Sequence, residues 1–204
     1  LVTDLLASVK AALNRPGRPI ASLLFIGPTG VGKTEMAKAL ADYFFGGASN
    51  SSSGQPSPSS SSSSARLVRF DMSEYQTAGA VARLVGTAWE SEGLLTAKIR
   101  EQPFCVLLLD EFEKADASFF DLLLQVLGEG RLTDSAGRLA DFSNAIVVMT
   151  SNLGSQQIQE IASSGIDEDS PEAYTQMKAA VMGVVQTHFR PEFINRLDEN
   201  VVFH

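Results

Sequence analysis

Apolar residues fall along this chain in two patterns. Short, nearly unbroken runs recur at Leu23–Gly27, Arg66–Asp71, Phe104–Asp110, Ala145–Thr150 and Asn200–Phe203. An unbroken run, rather than strict alternation, is what a strand covered on both faces presents. Between the runs the spacing changes to three and four. Phe120, Leu123, Leu124 and Leu127 make one helical stripe, with Asp116 as its cap and Gly128 as its stop. Ser170-Pro171 opens a second stripe through Tyr174, Met177, Val181, Val184 and Val185, and Glu35 to Phe45 reads as a third helix. Arg131 to Phe142, with Gly137 at its middle, reads as a hairpin or long loop. Strands alternating with helices predict an α/β fold, a five-stranded, mostly parallel sheet between helical layers. Ligands of such sheets bind beyond the carboxyl ends of the strands.

The length of 204 residues suits one such domain. The longest wholly apolar run, around Phe104 to Leu109, is too short to span a membrane, and no secretory pattern is visible. The chain starts at Leu1 without a methionine and ends strand-like at His204, so a segment of a longer protein is expected. With 16 basic and 24 acidic residues the net charge is −8, and the basic residues are scattered. That argues against nucleic acid as a partner. The single cysteine, Cys105, lies in an apolar run and reads as a core residue. A cytoplasmic location is compatible with it. His188 and His204 are isolated and receive no role. From Ser49 to Ser64 there are eleven serines, two prolines, one glycine, one asparagine and one glutamine, a composition that predicts a disordered surface insertion within a single domain.

The first chemical motif is Gly27-Pro28-Thr29-Gly30-Val31-Gly32-Lys33-Thr34, which fits G-x-x-x-x-G-K-[ST] at every fixed position. It follows a strand-like run and precedes a helix-like one. The glycines allow successive N–H groups to turn toward phosphate oxygens, and the helix N-terminus adds its partial positive charge. Lys33 would reach the β- and γ-phosphates, and the Thr34 hydroxyl would ligate Mg²⁺. A nucleoside triphosphate is the expected ligand.

The second motif is the apolar run from Cys105 ending in Asp110-Glu111. Strand alternation turns the two side chains in different directions, so they can hold separate posts. Asp110 would orient Mg²⁺ and its waters, while Glu111 would polarise the attacking water as general base. The third is Ile146–Thr150 followed by Ser151-Asn152. The Asn152 amide would suit a γ-phosphate or an attacking water, although a Ser-Asn pair at a strand end also makes a turn or a helix cap.

Several longer strings then define a resemblance. They are Arg18-Pro19-Ile20; Gly27 to Thr34 with Glu35; Phe70-Asp71-Met72-Ser73-Glu74-Tyr75; and Leu107 to Glu111 with Glu113-Lys114-Ala115. Others are Leu123 to Leu127, Gly130 to Asp134, Met149 to Gly154, and Phe189-Arg190-Pro191-Glu192-Phe193-Ile194-Asn195-Arg196-Leu197-Asp198-Glu199. The chain resembles the large subdomain of an AAA+ ATPase of the Clp/Hsp100 type, most closely the second ATPase module of the ClpB/Hsp104 disaggregases. The resemblance implies a three-layer P-loop NTPase fold over residues 1–204, with the small helical lid subdomain expected beyond it. It implies ATP and Mg²⁺ as cofactors, Asn152 as sensor of the γ-phosphate, and Arg196 as an arginine finger. That arginine would act on the neighbouring subunit, in a homo-oligomeric, usually hexameric, ring that remodels protein substrates. Arg190 is a second, weaker interface candidate.

The chain departs from the resemblance after Gly86. The family's polypeptide-gripping Gly-Tyr-Val-Gly loop is replaced by Gly86-Thr87-Ala88-Trp89-Glu90-Ser91-Glu92-Gly93-Leu94-Leu95-Thr96, shorter by about five residues. Trp89 is the one aromatic there, a candidate grip or else a packing or interface residue. Two readings follow: a protein-remodelling motor, or a nucleotide-gated assembly module that has lost threading.

Overall fold

The computed structural model describes residues 17–46, 66–87, 92–163 and 171–203. The expectations for Ser49–Ser64, Trp89, Ser170 and the two chain ends lie outside the described residues.

Strand β1 (Ala21–Ile26) leads through the glycine loop into helix α1 (Lys33–Phe45). β2 (Leu67–Asp71) is followed by α2 (Ala78–Val85) and α3 (Leu94–Glu101). β3 (Val106–Asp110) ends in a single tight turn, Phe112–Lys114, before α4 (Ala117–Glu129). A ribbon of β4 (Arg131–Thr133) and β5 (Leu139–Asp141) precedes β6 (Ile146–Ser151). Helices α5 (Ser155–Ser163), α6 (Pro171–His188) and the short α7 (Pro191–Ile194) then lead to β7 (Glu199–Val202).

The five-stranded sheet has the order β2-β3-β6-β1-β7, and every neighbouring pair is parallel. The apolar runs serve both faces in alternation, as expected for central parallel strands. Leu24, Ile26, Leu107, Leu109, Val147 and Met149 join the larger core beneath α2 to α6. Leu23, Phe25, Val106, Leu108, Ile146 and Val148 point the other way and pack against Ala37, Leu40 and Ala41 of α1. Cys105 is buried as expected, and burial pushes its thiol up to about 12.

Asp116 caps α4 as expected, accepting the Ser118 N–H at 3.0 Å. The helix nevertheless runs past Gly128 to Gly130, whose left-handed φ of 63° ends it. Its fully buried positions are Phe119, Leu123, Val126 and Leu127, so the inward stripe is turned from the one the sequence suggested, leaving Phe120 and Leu124 half-buried. The reason is aromatic packing: Phe112, Phe119, Phe120, Phe189 and Phe193 form one cluster joining the turn after β3 to α4, α6 and α7. Phe120 meets Phe112 from its flank, at 4.8 Å between ring centres. In α6, Met177, Val181 and Val185 are buried as expected. The hairpin at Gly137 is also present, with φ of 78°.

Candidate functional site

The carboxyl ends of β1, β2, β3 and β6 surround a cleft of about 360 Å³. It is lined by Thr29, Gly30, Gly32, Lys33, Thr34 and Glu35 from the loop and first turn of α1. Opposite them stand Arg69, Asp71, Asp110, Glu111, Thr150 and Asn152. Strand order, which places β6 between β1 and β3, is what brings Asn152 to the phosphate loop.

The loop takes its shape from its glycines. Gly30 and Gly32 have φ of 91° and 95°, where a side chain is strained. Gly27 answers a different demand: a Cβ there would lie 2.5 Å from the Phe203 main-chain oxygen, because β7 passes directly alongside. The Pro28, Thr29 and Val31 positions complete the curve, and Val31 packs into the core under α1.

Lys33 is 8% exposed, and its ammonium donates to the carbonyls of Gly27 at 2.5 Å and Pro28 at 2.7 Å. A third bond reaches Asn152 Oδ1 at 2.9 Å. Burial holds the Lys33 ammonium below its ordinary value, opposed by the charges of Glu113, Asp110 and Glu111. Thr34 sits one residue on, at the cleft wall. Glu35 is exposed and pairs with Lys38 at 2.6 Å rather than with any cleft residue.

Asp110 and Glu111 face different partners, as alternation predicted. Asp110 Oδ1 accepts the Thr150 hydroxyl, and Oδ2 accepts Arg69 Nη2 at 2.6 Å. Glu111 has φ of 52°, and among the described residues it is the one non-glycine with positive φ. Such a conformation costs on the order of 1–2 kcal/mol. It is held by the Glu111 N–H donating to Thr150 Oγ1 at 3.1 Å and by the fully buried Phe112 next to it. The turn directs the Glu111 carboxylate to Lys114 Nζ, 2.5 Å away.

Four residues in or beside the site were not legible from the sequence. Thr150 bridges the two acidic residues, Arg69 neutralises Asp110, and Asp71 stands next to Asp110 in register. Glu113 accepts the Asn152 main-chain N–H at 3.0 Å. Asp71 also accepts the Ser73 hydroxyl, which holds its carboxyl below the ordinary value against the opposing pull of burial. Motif spacing carries no signal for these, since each depends on which strand lies beside which.

Arg196 is not in this cleft. Its Nη1 donates to the Leu124 carbonyl and its guanidinium lies over Gly128. Its own carbonyl accepts the Ser22 hydroxyl at 3.1 Å, near the amino end of β1. Five residue-to-residue steps along the strand, at roughly 3.3 Å each, separate that level from Gly27. Arg190 is exposed and pairs with Asp121 at 3.2 Å.

A glycine loop cradling a helix N-terminus, with paired acids at the end of a neighbouring parallel strand, defines a P-loop nucleoside triphosphatase site. Comparison with known proteins narrows the class. Residues 18–200 match the family described as AAA domain (Cdc48 subfamily), and the chain belongs to that family, as an AAA+ ATPase of the Clp/Hsp100 type. It is 47% identical over 209 residues to chaperone protein ClpB of Vibrio cholerae, covering 100% of this chain and 22% of that protein. It is 48% identical over 207 residues to the chloroplastic chaperone protein ClpC4 of Oryza sativa subsp. japonica, covering 99% and 21%. Its fold is similar to that of S. cerevisiae Hsp104 solved as an ADP complex, with a TM-score of 0.77 and 36% identity over 100% of this chain and 32% of that one. A closed-state Hsp104 structure with ATPγS and FITC casein gives a TM-score of 0.74 at 36% identity, over 99% and 32%. The chain spans about a fifth of the length of these curated relatives.

Proposed function

We propose that residues 1–204 are the ATP-hydrolysing large subdomain of a ring-forming Clp/Hsp100 machine that remodels protein substrates in the cytoplasm, with a small lid subdomain following in the longer protein. The observation that carries this reading is the meeting of Lys33, Thr34, Asp110, Glu111 and Asn152 around one cleft. The relatives named as chaperones, and the Hsp104 structure with casein, favour remodelling over an assembly module that has lost threading.

The loop N–H groups and Lys33 bind the phosphates. The Thr34 hydroxyl and Asp110 would hold Mg²⁺. Asp110 Oδ2 already attracts a cationic partner in Arg69, which supports that fit. Bound there, the ion would neutralise charge on the β- and γ-phosphates. Glu111 takes the proton of the attacking water, and Asn152 contacts the γ-phosphate. Arg196 serves the next subunit's nucleotide in a hexameric ring. Its position near the amino end of β1, away from its own cleft, supports action in trans. The partners are copies of this chain and polypeptide substrates; the net charge of −8 gives no support to nucleic acid.

Glu111→Gln in the longer protein tests the assignment. Removing the base should leave ATP bound while hydrolysis falls by about two to four orders of magnitude. A variant hydrolysing ATP at the parental rate would remove Glu111 from the mechanism.

A further inference from the structure

The string Glu113-Lys114-Ala115 is part of the family resemblance, yet the proposed reaction leaves Glu113 unused. Its geometry is unusual for a residue in a tight turn. Oε1 crosses to the end of β6 and accepts the Asn152 N–H at 3.0 Å, joining positions 39 apart. Oε2 is buried and, among the described residues, has no hydrogen-bond partner. A buried carboxylate oxygen without a donor is unfavourable, so the side chain is kept there against a cost.

The turn that carries Glu113 is rigid. Phe112 is fully buried against four other aromatic rings, and the Lys114 N–H closes the turn on the Glu111 carbonyl at 3.0 Å. Asn152, by contrast, follows the last residue of β6 and belongs to no regular element. Its main-chain N–H is held by Glu113, its carbonyl accepts the N–H and hydroxyl of Ser155 at the start of α5, and its side-chain oxygen is held by Lys33. A phosphate that draws Lys33 away releases the Asn152 side chain. The Ser155 bonds tie Asn152 to α5, whereas the Glu113 bond ties its N–H to the turn that carries Glu111, two residues from Glu113 in the chain.

We propose that Glu113 is a positioning residue for recognition of the γ-phosphate. It ties the Asn152 main chain to the turn that carries Glu111, so the amide and the base are aligned by one rigid unit. This rests on the reading of Asn152 as the γ-phosphate contact.

The test is equilibrium binding of a non-hydrolysable ATP analogue and of ADP to the full-length ring protein. Asn152→Ala should erase much of the preference for the triphosphate. Glu113→Ala should lower that preference by about tenfold, the effect of losing one hydrogen bond to a charged group, while ADP affinity stays within about twofold. Glu113→Gln, which keeps an oxygen facing the Asn152 N–H, should retain most of the preference. The double variant should be no worse than Asn152→Ala alone, because Glu113 acts through Asn152. If Glu113→Ala does not fold, Glu113→Asp carries the same test, its carboxylate being too short to reach. The proposal is overturned if the preference survives Glu113→Ala while Asn152→Ala loses it, or if the two effects add. An equal loss of ADP affinity would reduce Glu113 to a structural residue. An intact preference in Asn152→Ala would instead overturn the reading of Asn152, and the Glu113 proposal with it.

Discussion

Lys33 Nζ donates to Asn152 Oδ1 at 2.9 Å across 119 positions of sequence, so the phosphate-loop lysine and the residue after β6 are one hydrogen-bonded unit. The two remaining acceptors of Lys33 are carbonyls of its own loop. The ammonium is therefore held in place by three acceptors and largely shielded from solvent. Lys33→Ala should abolish binding of ATP and ADP alike, whereas Asn152→Ala should spare ADP. Titration with fluorescent nucleotides separates them, and equal losses for both variants would contradict the division of roles.

Lys114 holds the Glu111 carboxylate at 2.5 Å, with both side chains partly exposed. The Glu111 carboxylate in turn keeps the Lys114 ammonium above its ordinary value. An exposed pair restrains only weakly. Lys114→Ala should raise hydrolysis by no more than about fivefold with nucleotide affinity unchanged, and Lys114→Arg should match the parent. A steep loss of turnover in Lys114→Ala would mean that the lysine aligns the base for attack.

Arg196→Ala should leave nucleotide affinity intact and lower hydrolysis by about three orders of magnitude, the scale associated with an arginine finger. The deciding measurement is a mixture. Rings assembled from Arg196→Ala subunits and Lys33→Ala subunits should recover hydrolysis, since each supplies what its neighbour lacks. No recovery in verified mixed rings would argue against action between subunits.

Gly27→Ala should destabilise the fold as well as the loop. The added methyl would meet the Phe203 carbonyl, where Phe203 N–H also bonds the Ile26 carbonyl at 2.7 Å. Main chain cannot swing aside as a side chain can, so a cost of about 1–3 kcal/mol is expected. Chemical denaturation would detect it, and an unchanged midpoint would show that β7 gives way freely.

Asp134 predicts an acid sensitivity. Burial alone would raise its carboxyl, but the Arg138 N–H and guanidinium, with the Ala136 N–H, hold it below the ordinary 3.8. A carboxylate depressed in the folded state stabilises fully above its unfolded value and loses that stabilisation as pH falls through its folded value. Asp134→Asn should therefore flatten part of the decline in thermal midpoint between about pH 5 and pH 2. Asp71 and Asp116, also depressed, should account for part of what remains. An unaltered slope would assign the acid sensitivity elsewhere.

Much of the fold was legible because its signals are local. Five apolar runs became the five strands within a few residues at each end, and Asp116 capped the helix it was expected to cap. The stop at Gly130 rather than Gly128 was not legible, because a glycine ends a helix only where the backbone must turn left-handed. The rotation of the α4 stripe was hidden too, since Phe120 is held by rings that lie as far away as Phe193.

The sequence by itself determined the phosphate loop, the paired acids and the family, because each is a contiguous string whose spacing sets where backbone and side chains can point. Only the tertiary structure decided that Thr150 bridges Asp110 and Glu111, that Arg69 pairs with Asp110, that Glu113 holds Asn152, and that Arg196 lies away from its own cleft. These partners come from different strands and helices. Their meeting depends on the order β2-β3-β6-β1-β7, and that order is set by the packing of helices on both faces of the sheet, a property no single stretch of sequence contains.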